Sequence, residues 1–89
     1  MELKNKIKIL DFWGSWCSPC KKLSPLLDEL AKELDITIEK INVDENEELV
    51  EEYEIRNIPS LIFFKDGVQV KKHSGSISKV SLIKMINEL

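Results

Sequence analysis

The chain has 89 residues, the size of one domain, and 43% of them are apolar, enough for a single compact core. A net charge of −3 with acids and bases interspersed argues against a nucleic-acid binder, which would carry a basic stripe. The opening MELKNKIKIL has no long apolar core and no small-residue cleavage site, and the longest fully apolar run, Leu61–Phe64, is far too short to cross a bilayer, so a cytoplasmic protein is expected.

Lys6–Trp13 reads as a strand with Ile7, Ile9, Leu10, Phe12 and Trp13 on both faces, as in central, parallel strands. Cys17 to Leu34 reads as a helix, because Leu23, Leu26, Leu27, Leu30, Ala31 and Leu34 recur along one helical face. Pro25 lies inside it, removes one backbone donor and predicts a kink. Ile36–Val43 is a second strand whose apolar parity changes near Lys40, which a bulge or burial on both faces would explain. Asp44–Glu54 is acidic outside, with Leu49, Val50 and Tyr53 at helical spacing. Leu61–Phe64 and Val68–Lys72 flank Asp66-Gly67, a strong hairpin signal. Ser76–Leu89 reads as an amphipathic helix capped by Ser76 or Ser78, with Val80, Ile83, Ile86 and Leu89 toward the core. The predicted order is β-α-β-α-β-β-α in one domain over residues 1–89: parallel strands with a right-handed crossover first, an antiparallel hairpin last.

The chain's two cysteines and two tryptophans all fall in FWGSWCSPC, from Phe12 to Cys20. Two cysteines are too few for a disulfide-stapled secreted scaffold. They also cannot close a structural zinc site, since the only histidine, His73, lies far along the chain. Inert core thiols, half of a metal site or a working redox pair remain. The strand-to-helix setting of Cys17-Ser18-Pro19-Cys20 favours the redox pair. Three residues apart at a helix start, the two sulfurs share one face and can close a small ring or separate. At the helix N-terminus, unpaired N–H groups and the positive dipole end favour thiolate at Cys17. Cys20, a turn further in, should stay protonated longer. Cys17 is therefore the expected attacking thiol and Cys20 the resolving one. Pro19 fits the first turn, which does not need its missing N–H.

Other residues keep two readings each. Asp11, in the apolar ILDFW, is either a buried acid with a raised pKa or a strand-end acid that reaches water. Lys40 is either its partner or an ordinary edge lysine. Pro59, after Ile58, is either cis, exposing the Ile58 backbone to a peptide, or trans at a strand start, which base rates favour. Trp16 is either a flat contact for a substrate or core filler. Trp13 reads as core, and His73 as surface.

DFWGSWCSPCKKLSPLLDEL, KINVDEN, YEIRNIPSLIFFKDG and Ser74-Gly75-Ser76 together resemble the thioredoxin family in order and spacing, from about Lys6 to the end. The resemblance implies an α/β thioredoxin-like fold with a four-stranded mixed sheet in the order 2-1-3-4 and three flanking helices. It implies that Cys17 is the exposed nucleophile, Cys20 the buried resolving thiol, Asp11 the buried proton-transfer acid and Lys40 its neighbour. Pro59 then matches a cis proline facing the disulfide, and Trp16, Ile58, Pro59 and Gly75 match the apolar patch that docks substrates. Two departures stand out: Ser18 replaces the family's usual Gly between the cysteines, and the N-terminal strand and helix of full-length members are missing, which leaves Ile36–Val43 at a sheet edge.

The resulting expectation is a monomeric dithiol–disulfide reductase, an electron carrier in cell redox homeostasis. It binds no cofactor and no metal, acts on disulfide-containing proteins and is recycled by a thioredoxin-reductase-type enzyme. The alternatives are a single-partner donor or oxidant tuned by Ser18, a thioredoxin-fold binding module without chemistry, and a metal carrier using both thiols between subunits.

Overall fold

The computed structural model describes residues 6–89. The elements are β1 (Ile7–Trp13), α1 (Ser18–Leu34), β2 (Thr37–Asn42), α2 (Glu47–Glu52), β3 (Ser60–Lys65), β4 (Val68–Ser74) and α3 (Lys79–Asn87). The four strands form one sheet in the order β2-β1-β3-β4. β1 pairs parallel with β2, from Lys8 opposite Thr37 to Trp13 opposite Asn42. It pairs antiparallel with β3 on its other edge, from Ile7 opposite Lys65 to Phe12 opposite Ser60. The expected parallel crossover followed by a hairpin is what forms.

Alternation along the strands divides the core into two clusters, one on each face of the sheet. Ile9 from β1 and Leu61 and Phe63 from β3 meet Leu23, Leu27 and Leu30 of α1 and Leu82 and Ile86 of α3. Leu10 and Phe12 of β1, Ile41 of β2 and Ile62 of β3 face the other way, under Leu49, Val50 and Tyr53. The parity change in β2 is thus burial on both faces: Ile36 and Ile38 join the first cluster, Ile41 and Val43 the second. The register through β2 is unbroken, and the irregularity in the sheet falls between Phe63 and Phe64 of β3 instead.

The sequence reading needs three corrections. α2 is shorter than Asp44–Glu54, because the Asn42 side-chain oxygen accepts from the Asp44 N–H at 2.9 Å and holds a turn before the helix begins. α3 starts at Lys79, with Ser78 as its cap, accepting from the Ser81 N–H at 3.1 Å. Its core stripe runs through Leu82 and Ile86, while Val80, about 200° around the helix from Leu82, is 78% exposed rather than core-facing. α1 is one continuous helix through Pro25. The Asp66-Gly67 turn has φ of 52° and 86°, the left-handed pair that a two-residue hairpin needs.

The packing predicts a contrast within the helical layer. Leu27→Ala, at a fully buried site, should cost about 2–5 kcal/mol in urea unfolding. Val80→Ala should change stability by less than about 0.5 kcal/mol in the same titration.

Candidate active site

The C-terminal end of β1, the first turn of α1, the N-terminal end of β3 and the C-terminal end of β4 meet at one end of the sheet, since Phe12 lies opposite Ser60 and Ser60 opposite Ser74. Ligands of open α/β sheets gather outside such carboxyl strand ends. The chain leaves β1 at Trp13 and folds back through Gly14–Cys17, where the Cys17 N–H donates to the Gly14 carbonyl at 3.1 Å. Cys17 is the N-cap of α1, in extended conformation, and Pro19 occupies the first turn. Its Sγ accepts from the Cys20 N–H at 3.2 Å. That sulfur therefore takes the place of the usual capping oxygen and faces one of the helix's unpaired amides.

Cys17 and Cys20 are disulfide-bonded, with Cα atoms 5.3 Å apart. The expectation of an exposed Cys17 beside a buried Cys20 is not met in this oxidised form: the residues are 5% and 3% exposed. The asymmetry is one of position, cap against first turn, rather than of exposure.

Trp16 next to the disulfide is 66% exposed, so the core-filler reading fails. Its Nε1 donates to Asp44 Oδ2 at 3.1 Å, which fixes the ring over the start of the α2 loop. Gly14 explains how the ring lies so close: a Cβ there would stand 2.9 Å from Trp16 Cε2 and 3.0 Å from Ile58 Cδ1. Ile58 lines a groove with Trp16, and the Ile58–Pro59 peptide is cis. Pro59 is buried, and its carbonyl accepts from the Gly75 N–H at 2.8 Å. Gly75 has φ of 99°, a conformation that favours glycine. The structure thus gathers Trp16, Ile58, Pro59 and Gly75 at the disulfide end of the sheet, while exposed Ser18 and Pro19 line a second groove with Ser76 and Ile77.

Below the disulfide, on the α1 face, a cavity of about 180 Å³ is lined by Asp11, Trp13, Cys20, Lys21, Ser24 and Lys40. Asp11 is 2% exposed, and its Oδ1 has no hydrogen-bond partner among the described residues. Burial pushes its carboxyl up to about 6, opposed by the positive charge of Lys40 and reinforced by Asp28. Lys40 sits opposite Asp11 in the β1–β2 register, yet its ammonium is held elsewhere. It donates to Ser24 Oγ at 2.6 Å and pairs with Asp28 Oδ1 at 2.8 Å. Neither reading of Lys40 stands unchanged: it is an edge residue that reaches the cavity and acts on Asp11 through its field, without an ion pair to it. Trp13 also differs from a plain core residue, because its buried Nε1 has no partner among the described residues and its side chain lines this cavity.

The residues that sequence reading passed over are Gly14, Ser24, Asp28 and Asp44. A glycine between two tryptophans was a visible signal of close approach; the other three act across the fold and left none.

Asp11 carries a stability cost with a definite pH dependence. Its folded value of about 6 exceeds the unfolded 3.8, so its favourable contribution is complete below the unfolded value and is lost as pH rises through the folded one. Asp11→Asn should therefore gain up to about 3 kcal/mol over the wild type near pH 7.5. In paired urea titrations the gain should shrink toward zero near pH 4.

The Thioredoxin family model matches residues 1–88. Thioredoxin of Mycobacterium tuberculosis is 40% identical over 87 residues, covering 96% of this chain and 75% of its own. That of Chlamydia pneumoniae is 47% identical over 81 residues, covering 90% and 79%. A solved mutant thioredoxin from Halobacterium salinarum superposes with a TM-score of 0.89 at 37% identity, covering 94% of this chain and 74% of that one. A cysteine pair within disulfide reach on this fold is the apparatus of a dithiol–disulfide oxidoreductase, the protein-disulfide reductase type. By length of match, identity and fold, the chain belongs to the Thioredoxin family.

Proposed function

We propose that Cys17 and Cys20 divide the exchange unequally, Cys17 as the attacking sulfur and Cys20 as the resolving one. The observation that carries this is the capping contact. In the reduced protein, the Cys20 N–H and the positive end of α1 favour negative charge on Cys17 Sγ. Cys20, in the helix's first turn, has no such amide directed at it among the described residues.

In the cycle, Cys17 thiolate attacks one sulfur of a target disulfide, forming a mixed disulfide and releasing the other target sulfur as a thiolate. The target segment lies against Trp16 and the Ile58–Pro59 turn, near Gly75. Cys20 gives its proton to Asp11 across the shared cavity and attacks Cys17 Sγ. The target's second sulfur leaves, and the Cys17–Cys20 bond closes. Two electrons pass from the two thiols to the target, so the exchange itself calls for no bound cofactor. The family implies disulfide proteins as targets and a separate reductase to restore the dithiol. We place this work in the cytoplasm and assign it to a monomer; no helix among the described residues is long and apolar enough to cross a membrane. Lys40 contributes by its charge near Asp11, and Ser18 by the hydroxyl it adds beside the sulfurs.

Insulin-disulfide reduction tests the assignment. Cys17→Ser should abolish turnover, whereas Cys20→Ser should accumulate covalent complexes with targets, visible on non-reducing gels. Retained turnover in Cys17→Ser would refute the attacking role. The resolution step in the wild type should speed up as pH rises through about 6, where Asp11 becomes able to accept a proton. Asp11→Asn should slow that step roughly a hundredfold and flatten its profile, as measured by stopped-flow decay of a mixed disulfide.

A further inference from the structure

Arg56 is the only arginine of the chain. It lines the groove of about 380 Å³ beside the disulfide, with Trp16, Val43, Val50, Ile55, Asn57 and Ile58. The floor is apolar, and one wall is the exposed indole that Asp44 holds in place. Arg56 is exposed, and among the described residues it makes neither an ion pair nor a hydrogen bond. Lys40 and Lys79, by contrast, are tied to Asp28, Glu29 and Glu33, and Lys72 to the carbonyls of Tyr53 and Glu54. A planar fork with five donors is thus left free among the described residues, in a groove whose wall, Trp16, directly precedes Cys17 in the chain. The acidic residues Asp44, Glu45, Glu47 and Glu48 line a separate hollow at the start of α2.

We propose that this groove selects among disulfide targets, favouring an extended segment that carries an aspartate or glutamate close to its disulfide cysteine, with that carboxylate on Arg56. The target's apolar neighbours fill the floor over Val43, Val50 and Ile55, and the carboxylate takes the guanidinium in two parallel hydrogen bonds. The selection rests on the reductase reading above and adds a substrate class to it. An exposed pair in this setting shifts rates by a few-fold, enough to rank targets without excluding any.

The test uses three oxidised peptide disulfides that differ only at one position beside the cysteine: Glu, Gln or Lys. Single-turnover reduction by the pre-reduced protein is followed at low salt by tryptophan fluorescence. The Glu peptide should react about threefold to fivefold faster than the Gln peptide, and the Lys peptide more slowly than either. Arg56→Gln should bring the Glu-to-Gln ratio to about one. Lys22→Gln, which removes the same charge from the groove on the other side of the motif, should leave that ratio in place. Equal rates for the three peptides in the wild type would overturn the selectivity alone. So would an equal fall of the ratio in both variants, which would reduce the effect to net charge. Failure to reduce any of the three would overturn the reductase reading and the selectivity together.

Discussion

Everything at the active end depends on β1 being held on four sides. It is hydrogen-bonded to β2 on one edge and β3 on the other, and it is buried on both faces between the two apolar clusters. A strand so confined cannot shift register without turning Ile9 and Phe12 out of their clusters. Its last residue therefore delivers the chain to a fixed point, where the turn at Gly14–Cys17 starts α1 with a sulfur as its cap. The reactivity proposed for Cys17 is a property of that point: the amides gathered there belong to the helix, and the strand decides which side chain meets them.

The same confinement explains why a carboxylate is tolerated in the interior. Asp11 shares the α1 face with Ile7 and Ile9 and has no hydrogen bond on Oδ1 among the described residues. A well-packed apolar residue would be more favourable for folding. The fold retains an acid whose proton affinity has been raised into the range where it can exchange protons near neutrality. Lys40 moderates this through its field without pairing with the carboxylate, because Asp28 and Ser24 hold its ammonium. Were Lys40 paired directly with Asp11, the carboxyl would be driven back toward its ordinary value and lose that capacity.

Much of this was legible before any coordinates. Strand and helix positions followed from the spacing of apolar residues, and the hairpin from Asp66-Gly67. The cysteine motif was placed correctly because Pro19 and the leucines after it mark a helix start. Phase at the last helix was obscured by the choice of spacing: Val80, Ile83, Ile86 and Leu89 recur every three residues and drift around a helix of 3.6 per turn, whereas Leu82, Met85, Ile86 and Leu89 keep to the packed face. Contacts between distant segments were equally hidden. Nothing in the order of residues announces that Asp44 fixes Trp16, or that Asp28 takes the ammonium of Lys40, since these pairs meet only after the sheet has formed. The low exposure of Cys17 in the oxidised form was equally unreadable, since it depends on how the loop and the bonded Cys20 lie around the sulfur.

The ring that the two sulfurs close spans a sequence separation of only three. A cross-link restrains the unfolded chain in proportion to the logarithm of the loop it closes, and so short a loop removes only about 2 kcal/mol of disorder. Most of the molecule's cohesion lies instead in the two clusters that sandwich the sheet, and these do not involve the sulfurs. Gaining or losing an electron pair therefore leaves the architecture standing. A carrier that must cycle between partners many times benefits from that separation, because its cargo is not part of its scaffold.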